Sequence, residues 1–236
     1  MTDIERLIET LRSELDTIRQ NLADLRPRAA TDDMIGAFFI ERLELALEST
    51  VGCILLAKAD LAYPVAILTR SMLELTMHTF WAASAPERAL EASGASVVEV
   101  TRIMKNLIAK GHGKIVNKRT GEDKTAWMLD AIAKDKIGPR KQIAQMAREC
   151  GLGKFYERFY PLQSMPSHGH SIGLLRGRGG DRGLYAMMAG VRTYLKAIHF
   201  TVVKHVRQGQ ATTLEEIEGV LKVGLVSPTD RSSAIP

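Results

Sequence analysis

The sequence predicts an all-α protein, a helical bundle with a long heptad-bearing N-terminal helix. Three observations predict it. Apolar residues recur at helical spacing along most of the 236 residues. Over residues 4–25 that spacing tightens into a strict heptad. No stretch alternates apolar and polar residues over a strand length, so no sheet is expected.

The first helix is expected from about Thr2 to Leu25. Ile4, Ile8, Leu11, Leu15, Ile18, Leu22 and Leu25 follow one another at steps of four and three. A 3.5-residue period favours a supercoiled partner, so the expectation is a homodimer through residues 4–25. Arg26-Pro27-Arg28 ends the helix, because the residue before a proline avoids the α region. The chain is therefore divided into a coiled-coil-like helix (1–28), a helical bundle domain (29–225) and a polar, disordered tail (226–236).

A second helix is expected to open at Thr31-Asp32-Asp33, residues suited to capping and to the helix dipole, and to run to about Asp60. Pro64 sits where a first turn tolerates proline, and a third helix follows to about Ser84. Ala85-Pro86-Glu87 starts another, and Ser96 to Lys110 is helical in pattern. Gly111-His112-Gly113 and Asn117–Gly121 make a basic loop. Helices recur at about Glu122–Lys134, Pro139–Cys150, Lys154–Gln163, Arg182–Arg207 and Leu214–Val223. Breaks fall at Ser164–Ser171 and at the Gly/Arg-rich Leu174–Gly183.

Composition narrows the functional classes. Cys53 and Cys150 stand alone in apolar helical stretches, so a disulfide scaffold is not expected and a reducing, cytoplasmic setting is. Val51–Leu56, the best apolar run, is far too short to cross a bilayer, and no membrane partner is expected. The net charge of +5 is unevenly distributed. Residues 1–100 carry nine basic and sixteen acidic side chains, whereas 101–150 carry twelve and five, and 151–208 carry nine and two. A basic second half suits RNA or another polyanion; it equally suits two layers or protomers of opposite charge.

The third helix is the most informative segment. Apolar residues from Val65 to Trp81 surround it, as in a buried helix, yet Arg70, Glu74 and His78 form one polar stripe at i, i+4, i+8. Buried charges need partners, since desolvating an unpaired ion costs several kcal/mol. Those partners are expected in residues 156–171, where Tyr156, Tyr160, Ser164, Ser167, His168 and His170 gather. Glu74 would orient His168, and Arg70 would hold an anion or the Tyr160 hydroxyl. The alternative is a purely structural polar centre that fixes helix register and satisfies broken helix ends.

Arg70-x-x-x-Glu74 followed by Tyr160-x-x-x-Ser164-x-x-x-His168 resembles an uncharacterised family of bacterial helical proteins over about residues 40–205. That resemblance implies a fold and a polar centre, and no activity. A looser resemblance is to the HEPN superfamily, helical and often dimeric proteins, many of them metal-independent ribonucleases with an Arg-x4-6-His motif. Arg192 and His199 fit that spacing, with Thr193 standing where those motifs usually carry Asn, Asp or His. The resemblance implies that His199 would move a proton and Arg192 would stabilise phosphorane-like charge, with no cofactor.

The resulting expectation is a nucleic-acid- or nucleotide-directed protein, at its sharpest a HEPN-like ribonuclease of a defence or stress system. The alternative is a non-catalytic, oligomeric interaction module. A metal site is the lesser idea: Glu41, Glu44 and Glu48 share a helical face, but Glu74-x-x-x-His78 departs from the Glu-x-x-His of carboxylate bundles, so no metal is assigned.

Overall fold

The computed structural model describes residues 1–29, 33–134, 141–164 and 180–225. They form helices α1 (Asp3–Leu25), α2 (Met34–Lys58), α3 (Ala62–Ala83), α4 (Pro86–Ala109), α5 (Thr125–Lys134), α6 (Ile143–Glu149), α7 (Gly153–Ser164), α8 (Gly180–Gln208) and α9 (Leu214–Leu225), with a 3-10 turn at Arg26–Arg28. The expected all-α bundle is what the chain forms. The described residues contain no strand, only an isolated antiparallel bridge between Val116 and Asp123. Among them, no helix is long and apolar enough to cross a membrane.

Local chemistry sets the helix ends. Thr2 and Glu5 form a reciprocal capping box on α1. Asp33 caps α2 by accepting from the Ile35 amide at 3.0 Å. Asp60, at φ 55°, turns the chain from α2 into α3, and the Leu61 amide reaches back to the Leu56 carbonyl. Gly151, at φ 85°, joins α6 to α7 in a backbone conformation that side chains rarely adopt, and a Cβ there would have to displace a Leu214 methyl 2.6 Å away. A second capping box, Thr213 with Glu216, opens α9, and Lys204 of α8 closes on the same carboxylate.

The core centres on α8, which packs against α3, α2, α1 and α9. Leu184, Met188, Val191, Leu195, Ile198 and Val202 repeat the four-and-three spacing of α1, and all are buried. Both cysteines are buried among apolar neighbours, which pushes the Cys53 thiol up to about 12 and Cys150 to about 11. Helices α6 and α7 pack on α3 and on each other, while α5 rests on α4.

This packing removes the ground of one expectation and corrects another. The heptad seam is not open to a second copy: Ile8, Leu11, Leu15, Ile18, Leu22 and Leu25 are buried within the chain, where α1 packs on α8 and α2. The seam is therefore no argument for a dimer, and a contact through residues 4–25 would have to use the exposed remainder of α1. The segments expected at Pro86 and Ser96 are one continuous helix, α4, because the backbone ladder runs unbroken from Pro86 to Ala109, through Gly94. His168, His170, the Gly/Arg-rich stretch up to residue 179 and the tail from 226 lie outside the described residues.

Candidate functional site

The polar stripe of α3 meets α7, as its residue types require. The Arg70 Nε donates to Glu74 Oε1 at 3.0 Å, one helical turn away, and its Nη2 donates to the Tyr160 hydroxyl at 2.8 Å. The guanidinium also lies 5.1 Å from the centre of the Tyr160 ring, which stacks on Tyr156 at 4.4 Å. Arg70 thus fixes a carboxylate and a phenol from two helices. The stripe is less enclosed than an apolar helix suggests, with the Arg70 and Glu74 side chains 22% and 33% exposed. The reason is that α6 and α7 cover α3 only in part, leaving a cleft between them.

That cleft holds 520 Å³ and is lined by Glu74, His78, Lys141, Gln142, Ile143, Ala144, Tyr156 and Tyr160. Burial, reinforced by the neighbouring Tyr160 and Glu74, raises the Tyr156 hydroxyl above its ordinary value, so it is a neutral donor at physiological pH. The Ser164 hydroxyl donates to the Pro161 carbonyl at 3.0 Å. The expected Glu74–His168 contact falls outside the described residues.

A second network stands behind the lining residue Lys141. The Trp81 indole donates to Glu149 Oε2 at 2.7 Å, and Gln145 donates to Oε1 at 2.9 Å. Lys141 reaches Glu149 at 3.1 Å and Glu91 at 3.2 Å, with its ammonium 4.6 Å from the Trp81 ring centre. The indole hydrogen bond first, then those from Gln145 and Lys141, hold the Glu149 carboxyl down at about 2. Two carboxylates neutralise Lys141, so the cleft presents hydrogen-bonding groups and aromatic faces rather than a strong field of either sign. Sequence reasoning missed this network. The four-residue step from Gln145 to Glu149 was a visible signal, but Lys141 comes from outside the helix and Trp81 from another element.

Arg192 and His199 are in a different place. They face α1, not the cleft. Arg192 makes a two-pronged pair with Glu14, its Nε 2.9 Å from Oε2 and its Nη2 2.5 Å from Oε1. Lys196 meets the same carboxylate at 3.0 Å. Burial raises the Glu14 carboxyl, but the bonds from Arg192 and Lys196 outweigh it and leave it lowered. His199 Nε2 lies 3.2 Å from the Asn21 amide nitrogen. Burial, with Arg207 nearby, lowers the imidazole below its ordinary value. Glu14 to Asn21 and Arg192 to His199 are both steps of seven, and farther along the same two helices Asp24 pairs with Arg207 at 3.8 Å. The two helices run parallel in heptad register, and the Arg-x6-His spacing is the α8 half of that register.

The carboxylates of α2 do not converge. Glu44 binds Arg26 at 2.6 Å, Glu41 binds Arg42 at 3.1 Å, and Glu48 is exposed. Among the described residues, no three His, Cys, Asp or Glu side chains are grouped to hold a metal.

The chain belongs to a family of unknown function (DUF5677), whose model matches residues 43–182. That segment contains Arg70 and every residue lining the cleft, and it ends before Arg192 and His199. Comparison with curated proteins and with solved structures finds no match.

Proposed function

We propose that this protein is directed at nucleotides or nucleic acid, and that the cleft between α3, α6 and α7 receives a nucleobase. The observation that carries the reading is the fixed Glu74–Arg70–Tyr160 set beside the stacked Tyr156, at the edge of a 520 Å³ cleft. Glu74 offers an acceptor for exocyclic amino groups, Tyr156 and Gln142 offer donors, and an aromatic face offers a stacking surface. The volume falls within the range typical of small-molecule pockets. The match of the family model to the segment holding these residues also favours the cleft over α8.

The sharper reading, a metal-independent HEPN-like ribonuclease acting through Arg192 and His199, draws less support. Both side chains are engaged by α1, and a catalytic pair needs to reach a scissile phosphate. The same engagement favours the second reading, an interaction module whose polar groups serve structure. Calorimetric titration with AMP, GMP, CMP and UMP separates the two. The nucleotide reading expects at least one to bind, and Tyr160→Phe and Glu74→Gln each to weaken it by roughly tenfold, the value of one good hydrogen bond to a charged or buried group. Absence of binding by all four would replace it with the interaction module. RNA cleavage that survives EDTA but not His199→Ala would restore the nuclease.

A further inference from the structure

The segment from Ile103 to Lys134 departs from the logic of the rest of the chain. The second half of α4, the bridged loop and α5 form an arm whose packing is α5 on α4 rather than on the central helices. The Val116–Asp123 bridge and the Asn117 side chain, which accepts from the Arg119 and Thr120 amides, set a defined turn that places Lys118 and Arg119 at its exposed tip. Lys110 and Lys114 are also exposed, and Lys110, Lys118 and Arg119 have no ion-pair partner among the described residues. The arm also carries Trp127, 65% exposed. The other tryptophan, Trp81, is 1% exposed and bonded to Glu149. A large aromatic left in water costs hydrophobic free energy, and an arm that carries it together with the exposed Lys110, Lys118 and Arg119 suits a ligand that is both anionic and flat.

We infer that this arm binds single-stranded nucleic acid, with Lys110, Lys118 and Arg119 on phosphates and Trp127 stacked on an unpaired base. The inference rests on the nucleic-acid-directed reading but uses a surface separate from the cleft. Charge complementarity selects a polyanion, and the lone exposed indole selects unpaired bases over a duplex, whose bases are already stacked.

The test uses the full chain and a twelve-residue oligouridylate. Since Trp81 is sheltered, saturable fluorescence quenching by the oligonucleotide reports on Trp127. Trp127→Ala should weaken binding roughly tenfold, the usual value of one stacked base, without altering the circular dichroism spectrum. Inorganic polyphosphate should compete without quenching. Equal affinity for polyphosphate with no effect of Trp127→Ala overturns the stacking claim. Concentration-dependent self-association that disappears in Trp127→Ala overturns the ligand, giving the arm to a second copy. Mononucleotide binding measured on Trp127→Ala keeps the two sites distinguishable: retention there with loss of the oligonucleotide assigns the loss to the arm alone. Oligonucleotide quenching that persists in Tyr160→Phe, when mononucleotide binding fails, leaves the arm standing without the cleft.

Discussion

Arg192 grips Glu14 through two guanidinium nitrogens, joining the last long helix of the core to the first helix of the chain. Seven residues on, His199 meets Asn21. The pair most suggestive of phosphodiester chemistry is thus the polar flank of a parallel helix seam.

This role has a mechanical consequence. Glu14→Ala leaves Arg192 without its partner in a half-buried place and should cost about 1–2 kcal/mol, the lower end for hydrogen bonds to charged groups. His199→Ala should lower the melting temperature as well. A catalytic residue free of structural duty would leave it unchanged, so thermal unfolding of the two variants separates the roles.

The apolar side of the seam should matter more. Leu15 is 3% exposed, and Leu15→Ala should destabilise by about 2–5 kcal/mol. Deleting residues 1–28 uncovers the α1-facing side of α8 and should give an aggregating product, seen by light scattering. A truncated chain that is a folded monomer, derived from a full-length dimer, would return the seam to an intermolecular contact.

Glu74→Ala should cost about 1–2 kcal/mol in urea unfolding, less than the roughly 3–5 kcal/mol of a fully buried pair, because water reaches both Glu74 and Arg70. Tyr160→Phe should cost about 1 kcal/mol. A Glu74→Ala loss above about 4 kcal/mol would mean that the cleft is closed to water in solution.

Acid should act on the Trp81–Glu149 network. Glu149 is held at about 2 against an ordinary 4.5, with the Trp81 indole bond as the largest cause. The unfolded chain therefore takes up the proton first as pH falls. The stability from Glu149 is complete above 4.5 and is lost as pH drops towards 2. Glu216, also at about 2 through Lys204 and Thr213, adds to the same window. Glu149→Gln should flatten part of the unfolding free energy against pH below 4.5, and a curve parallel to the wild type would refute the Trp81–Glu149 bond.

Helix existence, the polar stripe and its meeting with Tyr160 were all legible, because each depends on local periodicity or on the need of a buried charge for a partner. The destination of the α1 heptad was not. A 3.5-residue period specifies a supercoiled neighbour without saying whether it belongs to the same chain, and the matching repeat from Leu184 to Val202 was the clue. The openness of the stripe was also hidden: apolar residues all round α3 describe its other neighbours, while the cleft depends on how far the short α6 and α7 reach. Lys141 and Trp81 entered through tertiary contact alone.

Hydrogen exchange of the full chain, with and without saturating mononucleotide, reads the cleft and the α1–α8 seam in one experiment. If the cleft takes the base, exchange slows in peptides covering 70–80, 141–149 and 153–160, with no change across 14–21 and 192–199. Protection confined to 14–21 and 192–199, or protection nowhere, would contradict it.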